Sequence, residues 1–461
     1  MMIVDDNLEG HKNFTRKNPC GNEKLDIPVD KGSGGDQKMG IIKRVCAREV
    51  FNTKGLPTVE VDVLLDDGSL GRNAAAGGTS RGMSEAFDLR DGDKSYFNGK
   101  GVKKAIFNVN TKIADRLRGT DATDQEGIDR LLIELDGTEN KSTLGGNAMI
   151  ATSIANAKAA AKSLGIELFE HLGGGRETPI FMVNAMVGGP AYVGVRGTCD
   201  FQEYKLIALN VRSYKEGYMT ALGMYKRLCE IMAKKRGFGV PKLGARTPIA
   251  NFDSNDEAYA TLTKLIEDEG YVPRKDFGIY TDLATSQLYK DGMYHLEADD
   301  KVLTRGEMID KLEEICDNYP VISMEDCLFE DDWEGWKILT KQLGDKVQLV
   351  GDDLFVTNPK RLKKGIEMDV ANAVVIKPNQ VGTLTETMET IRMAKAAGYG
   401  TVISVRSGEL WDPYIVHLCV GQNLGQGKIG RRGSLNEILR IEECLGDELV
   451  YKGRSILSKF L

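Results

Sequence analysis

The sequence predicts an α/β protein: a (β/α)8 barrel of the TIM type, preceded by a smaller α+β cap domain. Three observations point there. An alternating apolar and polar run near residue 60 reads as a half-buried strand, and an Ala-rich stretch with helical spacing follows it. From about residue 178 onward, short β-branched runs alternate with amphipathic segments, as successive βα units do. The length of 461 residues exceeds what one hydrophobic core usually serves, so two domains are expected.

Residues 1–38 stand apart as a tail. They mix charges with Asn, Gly and Pro, carry no hydrophobic period, and read as disordered. Ordered pattern begins at Ile41. Val59-Glu60-Val61-Asp62-Val63 is the clearest alternation in a strand meander that extends to about Asp66, and residues 147–164 form the helix. The cap domain is placed at 41–170 and the barrel domain at 178–461. In the barrel, strands are expected at 277–283, 321–325, 347–351, 373–377 and 400–405, with helices at 306–317, 333–342 and 383–397. The strand starts lie roughly 25 to 45 residues apart, the spacing of parallel strands joined by crossover helices.

Composition narrows the function classes. A net charge of -7 leaves no basic excess to neutralise nucleic-acid phosphates, yet a small anion needs only a local positive site. The eight cysteines have no metal-binding spacing and read as reduced thiols of a cytoplasmic protein. No apolar run approaches the roughly 20 residues that span a bilayer, and the N-terminus lacks the apolar core of a secretory signal.

Charged residues close the barrel runs: Asp282, Glu325, Asp352 and Lys377, then Arg406 and Ser407 after 400–405. Side chains at successive strand ends converge on the C-terminal mouth, where barrel chemistry sits. Three carboxylates with open positions suit Mg²⁺, and a lysine held near divalent cations can serve as a base. Any one of these charges could merely solvate a loop or cap a helix. Four in consecutive units make a site the stronger reading.

Longer motifs then fix a resemblance. Pro57-Thr58-Val59-Glu60-Val61-Asp62, Leu89-Arg90-Asp91-Gly92-Asp93-Lys94-Ser95, Ser323-Met324-Glu325-Asp326, Gly351-Asp352-Asp353-Leu354, Lys377-Pro378-Asn379-Gln380-Val381-Gly382-Thr383 and Leu439-Arg440-Ile441-Glu442-Glu443 occur in that order. From Ile41 to its end the chain resembles the enolase family. The resemblance implies that Asp282, Glu325 and Asp352 hold one Mg²⁺ and that Ser80, in a lid loop, joins a second. It implies that Lys377 is the base removing the proton alpha to the carboxylate of 2-phosphoglycerate. Lys428 would bind that carboxylate, and Arg406 with Ser407 would grip the phosphate, for which the planar guanidinium is suited. It also implies a homodimer bridged through Glu60 and Arg440.

The pattern fails where hydroxide must leave. The family's acidic segment Gly-Asp-Glu-Gly-Gly reads Gly244-Ala245-Arg246-Thr247-Pro248 here, so Arg246 replaces the acid, and arginine cannot donate a proton at neutral pH. Glu203, the second carboxylate of that acidic cluster, remains. Two family histidines are absent, and the lid reads Gly77-Gly78-Thr79-Ser80-Arg81-Gly82 against the family's Ser-Gly-Ala-Ser-Thr-Gly. The expectation is a divergent homologue that binds Mg²⁺ and a small phosphorylated carboxylate, with weak or lost dehydratase activity. The alternatives are a working phosphopyruvate hydratase of glycolysis, a superfamily enzyme of another reaction, and a non-catalytic structural or partner-binding protein.

Overall fold

The computed structural model describes residues 40–78, 81–190, 199–236, 247–410, 412–429 and 432–461. The expected tail and two expected site residues, Ser80 and Arg246, lie outside them.

The cap begins with an antiparallel meander: β1 (Ile42–Phe51), β2 (Pro57–Leu65) and β3 (Leu70–Ala74). Val59, Val61 and Val63 point into the core as the alternation requires. The Ala-rich α2 (Gly146–Leu164) covers that face, and α1 (Gln125–Asp136) packs on α2. Small side chains let α2 lie close to the sheet. At Gly71 a Cβ would meet the Ala155 carbonyl oxygen at 1.9 Å and the Ala159 amide at 2.5 Å.

The barrel strands are β4 (Met182–Val187), β5 (Glu203–Ala208), β6 (Phe277–Asp282), β7 (Val321–Glu325), β8 (Gln348–Gly351), β9 (Ala373–Ile376), β10 (Gly400–Ser404) and β11 (Gly425–Lys428). They form one eight-stranded sheet in the order β11-β10-β9-β8-β7-β6-β5-β4. A bridge between Ile180 and Gln426 nearly closes it. The five expected strands appear within a residue or two of their limits. So do the expected helices, at Arg305–Asn318, Trp333–Leu343 and Leu384–Ala396. Thr304, Asp332 and Thr383 cap those helices with side-chain oxygens, so each chain reversal is written locally.

One strand departs from uniform βα alternation. β5 runs antiparallel to both β4 and β6. Its first residue, Glu203, therefore pairs with Asp282, the last residue of β6, and reaches the same mouth from the opposite chain direction. Along β5 the side chains alternate. Tyr204 packs outward on Tyr259, with ring centroids 5.2 Å apart, while Ile207 joins the apolar floor inside the barrel with Ile180, Met182, Ile322, Val350 and Val402. Glu203 and Lys205 share the inward phase of Ile207.

Candidate active site at the barrel mouth

Three carboxylates stand at the ends of adjacent staves: Asp282 on β6, Glu325 on β7 and Asp352 just after β8. All are buried. Metal-competent groupings among the described residues are Asp282 with Glu325 and Asp326, and Asp326 with Asp352 and Asp353, each with ligand atoms within 4.8 Å. The expected trio is thus split into two groups that share Asp326. Asp326 has a left-handed backbone, φ 48°, which turns its carboxylate back onto the β8 end. It accepts from the amides of Asp352 at 2.9 Å and Asp353 at 3.0 Å, so it orients the loop that carries Asp352. Asp282 Oδ1 is buried without a hydrogen-bond partner. Clustered hard oxygen donors with one such orphaned atom fit a hard divalent cation.

The mouth's lysines neutralise these acids. Lys428 Nζ lies 2.5 and 2.6 Å from the two Glu325 oxygens and 3.5 Å from Asp282 Oδ2. Lys377 Nζ pairs with Asp352. Burial would raise the Asp352 carboxyl, but Lys377 outweighs it and holds it below the usual range. Burial and neighbouring carboxylates raise Glu325 far above its ordinary value despite Lys428. Asp353 is pushed up to about 8 by burial and by Asp352. Like charges gathered in a dry site titrate apart in this way.

At the expected phosphate site Arg406 is buried, and its Nη1 donates to Glu85 Oε1, an internal carboxylate, at 2.9 Å. Gly78 lets its backbone lie on that guanidinium, since a Cβ there would meet Arg406 Nη2 at 1.7 Å. Ser407 is half-buried and accepts from Lys54 Nζ at 2.7 Å.

On the far wall Glu203 accepts from Asn184 Nδ2 at 2.8 Å and pairs with the ammonium of Lys205. Burial would raise Glu203, but Lys205 and Lys428 outweigh it and keep the carboxylate ionised. Lys205, buried on β5, also donates to Asn184 Oδ1. Beside it in register stands Tyr280, whose hydroxyl contacts Glu325. Sequence reasoning missed Lys205, Asn184, Tyr280, Asp326 and Glu85. Lys205 carried a readable signal, a lysine two residues from Glu203 and hence on the same face of an otherwise apolar strand.

The three described histidines do not reach this mouth with a hydrogen bond. His417 Nε2 pairs with Glu437 at 3.0 Å, and its ring stacks on Phe169. Among the described residues no helix is long and apolar enough to cross a membrane.

Two family models match the chain. The one described as the enolase N-terminal domain covers residues 42–172, and the one described as the enolase C-terminal TIM barrel domain covers residues 176–460. With the barrel and its acidic mouth, these matches show that the chain belongs to the enolase family.

Proposed function

We propose that this is a divergent enolase-family protein that binds Mg²⁺ and a small phosphorylated carboxylate of the 2-phosphoglycerate kind, and abstracts the proton alpha to the carboxylate, with dehydration weak or lost. The observation that carries the reading is the pairing of Lys377 with Asp352 and of Lys428 with Glu325 and Asp282 at one barrel end. Nothing in barrel stability calls for a buried cluster of acids and lysines, which costs desolvation energy.

In this reading Asp282, Glu325 and Asp352 hold the metal, with Ser80 of the lid toward a second. The metal supplies electrostatic stabilisation of charge developing on the ligand carboxylate. Lys377 takes the alpha proton. Lys428 binds the ligand carboxylate, and Arg406 with Ser407 takes the phosphate in exchange for Glu85 and Lys54. Arg246 cannot replace the missing acid, and the ionised Glu203 has no proton to give. Loss of a general acid costs roughly 10²–10⁴ in rate.

The same reading makes the protein a cytoplasmic homodimer. Glu60, on β2, accepts from Arg48 Nη1 at 2.6 Å within the chain, and Arg440 donates to Glu437 at 2.6 Å. A bridge between subunits would exchange these partners.

Calorimetric titration of 2-phosphoglycerate with and without Mg²⁺, run beside an assay for phosphoenolpyruvate, tests the proposal. Metal-dependent binding with turnover far below the typical value of about 10 s⁻¹ is expected. Turnover near that value would establish the active phosphopyruvate hydratase instead, and no binding would leave the site vestigial.

A further inference from the structure

In the barrel order, β5 and β9 are four staves apart in either direction around eight. Lys205 on β5 and Lys377 at the end of β9 thus stand on opposite walls, and a ligand in the mouth lies between them. Elimination of water across a Cα–Cβ bond with anti geometry needs a base on one face and a proton donor on the other. On the Lys205 side the described groups are Glu203, Asn184 and Tyr280. Glu203 is ionised, Asn184 carries only an amide, and the Tyr280 hydroxyl is engaged by Glu325. The ammonium of Lys205 touches the Glu203 carboxylate at the mouth and is the one charged proton carrier among them.

We propose that Lys205 is the proton donor for hydroxide departure, so that dehydration here is weak rather than lost. This deepens the proposed function and rests on it. Lys377 first gives its own proton to solvent, leaving the pair with Asp352; as the neutral amine it takes the alpha proton, and the C–H electron pair passes into the ligand's carboxylate system. That pair then forms the Cα–Cβ double bond as the Cβ–O bond breaks. The departing oxygen takes a proton from Lys205 Nζ and leaves as water. Lys377 is then charged as at the start, and Lys205, left neutral, regains its proton from solvent. No other reactant is consumed. The step is slow because the donor is also the counter-ion of Glu203, and giving up its proton breaks that pair.

The test measures two rates on the full chain with 2-phosphoglycerate and Mg²⁺ in deuterated water: exchange at Cα by proton NMR, and phosphoenolpyruvate formation by phosphorus NMR. The variants are Lys205→Arg and Lys205→Met. Lys205→Arg keeps the charge that holds Glu203 but cannot release a proton at neutral pH. The expected result is slow product formation by the native chain. It should fall about 10²-fold or more in both variants, while exchange stays within about two-fold. Native rates of product formation in Lys205→Arg would overturn the proposal. So would exchange without product in the native chain, or exchange and product falling together, which would make Lys205 only a support of the site. Absence of both binding and exchange in the native chain would instead overturn the reading of the site on which this rests.

Discussion

The ammonium of Lys428 sits 2.5 and 2.6 Å from the two carboxylate oxygens of Glu325, a buried ion pair at the centre of the barrel mouth. A cation placed among acids in this way stabilises the cluster when no metal is bound. Lys428→Met should therefore lower the melting temperature strongly in chelator, because breaking a buried pair costs about 3–5 kcal/mol. Added Mg²⁺ should close most of that gap by supplying positive charge to the same carboxylates. A deficit unchanged by Mg²⁺ in a thermal melt would mean that these acids hold no metal.

Glu85 pairs with Arg406 where a phosphate is expected to bind. Glu85→Gln removes the internal carboxylate and leaves the guanidinium in place. Inorganic phosphate should then bind several-fold more tightly by calorimetry, and stability without anion should fall. Weaker phosphate binding in this variant would assign Glu85 to building the anion site rather than competing for it.

In the cap, Gly71 is a point of contact between β3 and α2. Gly71→Ala should cost about 3 kcal/mol or more, since the methyl group would meet helix backbone rather than a yielding side chain. Denaturant unfolding measures it. A change under about 0.5 kcal/mol, the usual range for surface sites, would contradict the packing described.

Asp62 accepts from Arg72 Nε at 2.6 Å and Nη2 at 2.8 Å and pairs with Arg48. Burial raises its carboxyl, but the two arginines prevail and hold it at about 2. Its unfolded value is about 4, so its folded value is the lower one. The stability it contributes is complete above about pH 4 and is lost as pH falls toward 2. The stability difference between the native chain and Asp62→Asn should therefore shrink between pH 5 and pH 3. A constant difference would contradict the assignment.

Much of this was written in the sequence, for definite physical reasons. Runs such as Ala373–Ile376 are buried on both faces and read as continuous apolar strands, so the charge that ends each run marks the mouth. Asp282, Glu325, Asp352 and Lys377 were found in this way. The antiparallel course of β5 left no mark, because inward and outward alternation looks the same in either direction. Without it, Lys205 could not be placed on the wall opposite Lys377. The Glu85–Arg406 pair joins residues far apart in the chain, and no local pattern signals such a contact. The turn of Asp326 onto the β8 end depends on one left-handed residue with no glycine to announce it.

The central claim is that this mouth still removes an alpha proton. Proton NMR of 2-phosphoglycerate in deuterated water measures it most directly, using the native chain and Lys377→Ala. The account predicts Mg²⁺-dependent loss of the Cα proton signal that chelator abolishes and Lys377→Ala eliminates. Retention of that signal by the native chain with Mg²⁺ present, or continued exchange in Lys377→Ala, would contradict it.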